Sequence, residues 1–256
     1  MSMGPARSPA SPTTTGPGSG VLLSVRDVAR EFGGVRALDG VDLSVAPGEQ
    51  VCVIGPNGCG KTTLFNIITA QLPPSRGEVV FDGRALTGWA PHHIARLGIA
   101  RKFQVPSVFD DLTVSENLEV ARFGLPPDPT RPDAAALLQL IQLADRAQAL
   151  AGRLPHGARQ WLEIGMLLSQ KPRLLLLDEP TAGMTGAETL ATAALVRRLA
   201  EHGGTAVVVV EHDMRFVEAL DARVVVMLAG RVVADGRFDE VRRLPQVREA
   251  YLGTHA

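Results

Sequence analysis

The segment Gly55-Pro56-Asn57-Gly58-Cys59-Gly60-Lys61-Thr62 places glycines, one lysine and one hydroxyl at the spacing of a phosphate-binding loop. Its glycines let the main chain curl so that N–H groups point inward at a polyphosphate. An apolar run, Val51 to Ile54, precedes the loop, and an apolar-periodic run from Thr62 to Gln71 follows it. The loop should therefore join a strand to a helix N-terminus, whose positive end adds to the pull on an anion. In that setting Lys61 neutralises β- and γ-phosphate oxygens and the Thr62 hydroxyl binds Mg²⁺; Thr63 completes the nucleotide-binding set. The plain alternative is a glycine-rich turn with an incidental lysine. The chain has only three lysines, which weighs against coincidence.

A second constellation lies at Leu174-Leu175-Leu176-Leu177-Asp178-Glu179. A buried strand here delivers two carboxylates at its C-terminal end, where open α/β sheets bind ligands. Asp178 is suited to hold Mg²⁺ through water, and Glu179 to polarise an attacking water as general base. Alone, the pattern is an ordinary acidic strand-to-loop boundary. The phosphate loop upstream gives it meaning, and together they predict ATP and Mg²⁺ as ligands.

The elements that must position these groups are legible as alternation and punctuation. Val21 to Val28 reads as a strand, as do Val41 to Val45 and Val51 to Ile54 on either side of the Pro47-Gly48 turn. Thr62 to Gln71 reads as a helix offering Leu64, Phe65, Ile67 and Ile68 to a core. From about residue 105 to 165, short helical patterns alternate with loops, as in a helical insertion. Gly186 to His202 reads as a helix stopped by Gly203-Gly204, Val207 to Val210 as a buried strand, and Val224–Leu228 with Arg231–Ala234 as a hairpin about Ala229-Gly230. The order predicts an α/β fold: a P-loop NTPase core with a mostly parallel sheet, an N-terminal antiparallel β part and an inserted α-helical subdomain.

Composition narrows the partners. A net charge of −1 and 4% aromatics offer neither a basic patch nor a stacking surface for nucleic acid. Cys52 and Cys59 fit no zinc spacing and cannot form a disulfide framework, so a reducing compartment is the simplest setting. Cys59 lies where a helix N-terminus could lower its pKa, although a small residue filling a tight turn is the simpler reading. No apolar run approaches the roughly 20 residues needed to cross a bilayer. Residues 1–20, rich in Pro, Ser, Thr and Gly, read as a disordered tail, leaving one domain over 21–256.

With these motifs in place, the chain resembles the ATP-binding subunits of ABC transporters from about residue 22 onward. The resemblance implies roles for further residues. Gln104, in Arg101-Lys102-Phe103-Gln104, matches the loop glutamine that senses Mg²⁺ and the γ-phosphate. His212, in Val210-Glu211-His212-Asp213, matches the histidine that contacts the γ-phosphate; a lone His after a strand is otherwise a surface residue. Phe32 matches the aromatic that stacks on adenine, and Ala182-Gly183-Met184-Thr185 the loop that touches the opposing subunit. Catalysis then falls to Glu179, His212, Lys61 and Gln104.

One motif departs from the family pattern. Where LSGGQ is usual, this chain has Leu154-Pro155-His156-Gly157-Ala158. In the family this loop caps the nucleotide held by the other subunit, with a serine hydroxyl and N–H groups at a helix N-terminus. Pro155 offers neither hydroxyl nor N–H, but the N–H groups of His156 and Gly157 remain, and proline fits a first helical turn. Weaker capping of the partner's nucleotide is expected, with the fold intact.

Finer likeness, in Arg101 to Phe109, Trp161 to Met166, Ala182 to Thr185 and Val247 to Gly253, points to branched-chain-amino-acid-type importers, and within them most closely to urea-importer ATPases. The resemblance implies a second, different ATPase subunit, two transmembrane permease subunits and an extracytoplasmic solute-binding protein, with this chain peripheral on the cytoplasmic face of the membrane. The alternatives are a branched-chain amino acid importer ATPase, a non-transport ABC ATPase, a P-loop small-molecule kinase, and a regulatory subunit that hydrolyses ATP poorly.

Overall fold

Two sheets share the N-terminal third of the chain. β1 (Leu23–Phe32) and β2 (Val35–Val45) pair antiparallel across the Gly33-Gly34 turn. β3 (Gln50–Ile54) leaves this ribbon for the core and leads through the glycine-rich loop to α1 (Lys61–Ile68). β4 (Arg76–Phe81) and β5 (Arg84–Ala85) return to β1, closing a four-stranded antiparallel sheet in the order β2-β1-β4-β5. The chain then passes through α2 (Pro91–Arg96) to β6 (Ile99–Lys102). This computed structural model describes residues 20–102, 108–126 and 128–252, without the side chains of 200–203 and 250–252. Gln104 and residues 1–19 of the expected tail lie outside the described residues.

Between residues 108 and 168 the described regular elements are helices: α3 (Val114–Val120), α4 (Ala134–Leu140), two short 3₁₀ turns and α5 (His156–Leu168). β7 (Leu174–Asp178), α6 (Gly186–Gly203), β8 (Ala206–Val210), α7 (Met214–Leu220), β9 (Arg223–Leu228) and β10 (Arg231–Arg237) follow, and α8 (Phe238–Val241) and α9 (Pro245–Leu252) end the described chain. The second sheet has the order β10-β9-β3-β8-β7-β6, parallel except for β10. The core is thus an α/β unit with a mostly parallel sheet, an antiparallel N-terminal sheet beside it and a helical segment between β6 and β7.

The apolar strands read as continuous runs because both sheet faces are covered. Successive residues nevertheless divide by face. Leu175, Leu177, Val207 and Val209 pack with α3 to α7, whereas Leu174, Leu176, Val208 and Val210 pack with Leu64, Phe65 and Ile68 of α1 and with the antiparallel sheet. One face thus carries a helical layer and the other helices α1 and α2 plus a second sheet.

Local signals explain the element ends. Thr185 and Glu188 form a reciprocal capping box at the start of α6, and Gly204, in the left-handed region at φ 61°, ends it. Ala229 (φ 46°) and Gly230 (φ 77°) form the tight turn of the β9–β10 hairpin. Several expectations need adjustment. The first strand starts at Leu23 and runs to Phe32. The first helix begins at Lys61 and stops at Ile68, where Thr69 turns its hydroxyl back to the Phe65 carbonyl, 2.8 Å away. β4, β5 and β6 were not expected at all: β6 carries Arg101 and Lys102, charges that argue against a buried strand.

Candidate functional site

Parallel register brings three strand ends together. β8 lies between β3 and β7, with Val210 opposite Val53 on one side and Asp178 on the other. The glycine-rich loop, the two carboxylates and the His212 loop therefore leave the sheet at one edge, the edge at which open α/β sheets take ligands.

The loop is built by close approaches. A Cβ at Gly55 would overlap the Met227 carbonyl oxygen, and one at Gly60 the Ala37 carbonyl oxygen, so only glycine fits at either position. Gly60 also sits at φ 106° as the N-cap of α1, with no side chain satisfying the helix's first N–H groups. Among the described residues no side chain caps those groups, which point out of the helix end. Pro56, Asn57 and Gly58 are exposed at the loop's crest, while Gly55, Cys59 and Gly60 are buried at its base. The Lys61 side chain folds back along the loop, and its ammonium donates to the carbonyls of Gly55 at 2.6 Å and Pro56 at 3.1 Å. Thr62 is exposed and Thr63 half-buried just beyond it. Burial pushes the Cys59 thiol up in pKa, against the opposing pull of Lys61, so Cys59 is a small packed residue and not an activated thiolate.

Asp178 ends β7 almost wholly out of water. One carboxylate oxygen, Oδ2, lies 3.1 Å from the Arg101 guanidinium, and the other, Oδ1, has no hydrogen-bond partner among the described residues. Burial raises the Asp178 pKa, with Arg101 working in the opposite direction. Arg101 also donates to Asn66 Oδ1 on α1 at 2.6 Å, which joins the helix after the phosphate loop to the carboxylate after β7.

Glu179 occupies the left-handed region at φ 48°, its N–H bonded to the Val210 carbonyl at 2.9 Å. That backbone is uncommon for a residue with a side chain and bends the chain at the end of β7. Its Oε1 lies 3.6 Å from His212 Nδ1, and the imidazole is more than half exposed. Phe32, at the end of β1, is 42% exposed, and the Arg30 guanidinium lies 4.7 Å from its ring centroid. A flat cation on one side of the ring leaves the other available to a base.

The Leu154–Ala158 segment opens α5. Pro155 is the N-cap, with φ −56° and ψ 156°, and the helix starts at the next residue. His156 is the first helical residue, and its Nε2 lies 2.9 Å from the Ala182 carbonyl oxygen. Gly157 leaves room for the Glu188 carboxylate, Leu154 and Ala158 are buried beneath, and Pro155 supplies no side-chain cap to the helix.

Three charged residues with structural weight carry no sequence signal of their own. Arg101 is one. Lys102 is another, paired with Glu163 of α5 at 3.3 Å with both side chains about 5% exposed or less. Glu211 is the third, fully buried after β8. Their types alone suggested surface, because charged residues are seldom buried without a partner, and the partners lie far away in sequence.

The donor set fits Mg²⁺ with a triphosphate. An acceptor oxygen on Asp178 is out of water and unsatisfied, the Thr62 hydroxyl is exposed at the start of α1, and an ammonium stands within the loop. Among the described residues no cluster of three or more His, Cys, Asp or Glu could hold a metal unaided. One carboxylate plus substrate phosphates is the usual Mg²⁺ arrangement. Among the described residues no helix is long and apolar enough to cross a membrane.

Comparison with known proteins agrees with this geometry. A family model described as ABC transporter matches residues 38–182, and one described as branched-chain amino acid ATP-binding cassette transporter matches residues 231–256. The chain is 36% identical over 249 residues to the high-affinity branched-chain amino acid transport ATP-binding protein BraF of Pseudomonas aeruginosa, covering 91% of this chain and 98% of that protein. The same figures hold for LivG of Escherichia coli, whose description is also high-affinity branched-chain amino acid transport ATP-binding protein. Among solved structures, the ADP conformation of MJ1267, an ATP-binding cassette of an ABC transporter, superposes with a TM-score of 0.80 at 30% identity, covering 92% of this chain and 100% of that one.

Proposed function

This chain belongs to the ABC transporter ATP-binding family and is the ATPase subunit of an importer; from that premise we propose that the imported solutes are branched-chain aliphatic amino acids. The observation that carries the solute class is likeness along nearly the whole chain to two transport ATP-binding proteins described for those amino acids, together with the C-terminal match over residues 231–256. The urea expectation finds no support among these relatives.

In this reading the residues divide as follows. A triphosphate seated on the N–H groups of Gly58, Gly60 and Lys61 draws the Lys61 ammonium off the Gly55 and Pro56 carbonyls toward β- and γ-phosphate oxygens. Asp178 and Thr62 would hold Mg²⁺, with Gln104 as a further ligand by family resemblance, and the ion would supply charge neutralisation at the phosphates. Glu179 takes the proton of the attacking water, and His212 holds the γ-phosphate side of that water. Phe32 stacks on the base, which adds roughly 0.5–1.5 kcal/mol beyond area burial. Leu154 to Ala158 meets the nucleotide of a second ATPase subunit, and the helical segment between residues 108 and 168 passes closure to two permease subunits at the cytoplasmic membrane face. A solute-binding protein on the far side delivers the cargo.

The test is uptake of labelled leucine and of labelled urea by cells with and without this chain. Loss of leucine uptake alone supports the assignment; loss of urea uptake with leucine unaffected overturns it.

A further inference from the structure

Glu211 is fully buried, immediately after β8, and its backbone N–H is bonded to the Val53 carbonyl of β3 at 3.2 Å. Its two carboxylate oxygens serve different loops. Oε1 accepts from Thr181 twice, from the backbone N at 3.0 Å and from the hydroxyl at 2.6 Å. Oε2 accepts from the backbone N–H of His212 at 3.0 Å and of Asp213 at 3.4 Å. Thr181 lies two residues after Glu179, in the loop that leaves β7. One carboxylate therefore ties the Glu179 loop to the His212 loop, and it does so from the strand between the phosphate loop and Asp178.

All four partners are donors and none is a cationic side chain. That arrangement suits a carboxylate, whose two oxygens can each accept two hydrogen bonds. An amide would set its own N–H₂ against N–H groups on one side or the other. A mere packing role could be filled by an apolar residue, without four aligned donors. The Glu179 and His212 side chains lie 3.6 Å apart; besides the backbone bond from Glu179 N–H to the Val210 carbonyl, the Glu211 carboxylate is the side-chain group that hydrogen-bonds to both of their loops.

We propose that Glu211 is a positioning residue for ATP hydrolysis, its buried carboxylate fixing the spacing between the Glu179 and His212 loops. The proposal rests on the reading of Glu179 and His212 as the residues that act on water and γ-phosphate. It places Glu211 one step behind them, with no contact to nucleotide.

The test compares Glu211→Gln, Thr181→Val and the double variant in the assembled importer, with ATPase rate and equilibrium binding of a fluorescent ATP analogue as readouts. Glu211→Gln should lower kcat by about tenfold or more while the analogue's Kd moves less than about threefold. Thr181→Val, which removes one of the four donors and no charge, should lower kcat by a smaller factor with Kd equally unmoved. The double variant should be no slower than Glu211→Gln alone, since both changes cut the same tie. A wild-type kcat in Glu211→Gln overturns the proposal, as does a kcat loss matched by an equal loss of binding, or two losses that multiply. If instead Glu179→Gln and His212→Ala themselves turn over ATP at the wild-type rate, the underlying assignment of those two residues fails, and that result is distinct from the other three.

Discussion

The Arg101 guanidinium stands 3.1 Å from Asp178 Oδ2, and both side chains are shut away from water, at 6% and 1% exposure. Burial pulls the two pKa values toward neutrality from opposite sides, up for Asp178 and down for Arg101, while their contact restrains each. Removing one member of such a pair leaves a lone buried charge. Arg101→Met should therefore destabilise the chain by about 3–5 kcal/mol, and Mg²⁺ should restore part of the loss by supplying a new counter-charge at Asp178. Thermal melting with and without Mg²⁺-nucleotide measures both effects. A variant as stable as the wild type would show that the pair contributes nothing.

Lys61 spends its ammonium on two carbonyls of its own loop. Lys61→Ala should still fold, because Pro56 stands at the exposed crest where water can replace the ammonium, with a small loss of stability at the buried Gly55 carbonyl. It should lose ATP hydrolysis by about a hundredfold or more, since the charge is absent where phosphate charge develops. Steady-state ATPase assay of the assembled complex decides it; unchanged activity would remove the phosphate-site assignment.

Glu179→Gln keeps the side chain's size and removes its basicity. Nucleotide binding should be retained and hydrolysis slowed by about 100-fold or more, with the variant accumulating as a closed pair of ATPase subunits under ATP. His212→Ala should bind ATP and likewise lose turnover. Normal turnover in either would return that residue to the ordinary surface.

Pro155 occupies the N-cap of α5, where serine would offer both an N–H and a hydroxyl. One recovered hydrogen bond contributes about 1 kcal/mol, so Pro155→Ser should tighten closure on the partner's nucleotide about fivefold. ATPase rate and subunit affinity, measured by titrating the second ATPase subunit, report the change. If neither moves, the proline does not weaken capping.

Glu188 accepts from the Thr185 N–H and hydroxyl, which hold its carboxyl below the usual carboxylate range. A lowered folded pKa means stability that is complete above the unfolded value and is lost as pH falls through the folded one. The wild type should accordingly outlast Glu188→Gln in melts at pH 7, and the gap should close in acid below the carboxylate range. A gap that persists in acid would assign the effect to packing against Gly157 instead.

What the chain reveals without coordinates depends on how local the cause is. The phosphate loop, β7, β8, the β9–β10 hairpin and the glycine stop of α6 are each specified by neighbouring residues, and all are where expected. β6 escaped notice because Arg101 and Lys102 look like surface residues; what buries them is Asp178 and Glu163, some 60 to 77 positions away. Glu211 escaped because its partners are mostly backbone N–H groups, which no residue type advertises. Pro155 stands at the helix start, as its tolerance there allows, although sequence separates the cap from the first turn poorly.

The Lys102–Glu163 contact ties the last residue of β6 to the middle of α5. Opening it would strand two opposite charges in a dry interior, so it behaves as a rivet. The edge of the core sheet and the helix behind Pro155 must then travel as one plate. Any tilt of the helical layer has to be taken up at joints other than this one, and a push arriving at α5 is felt at once at the strand that carries Arg101.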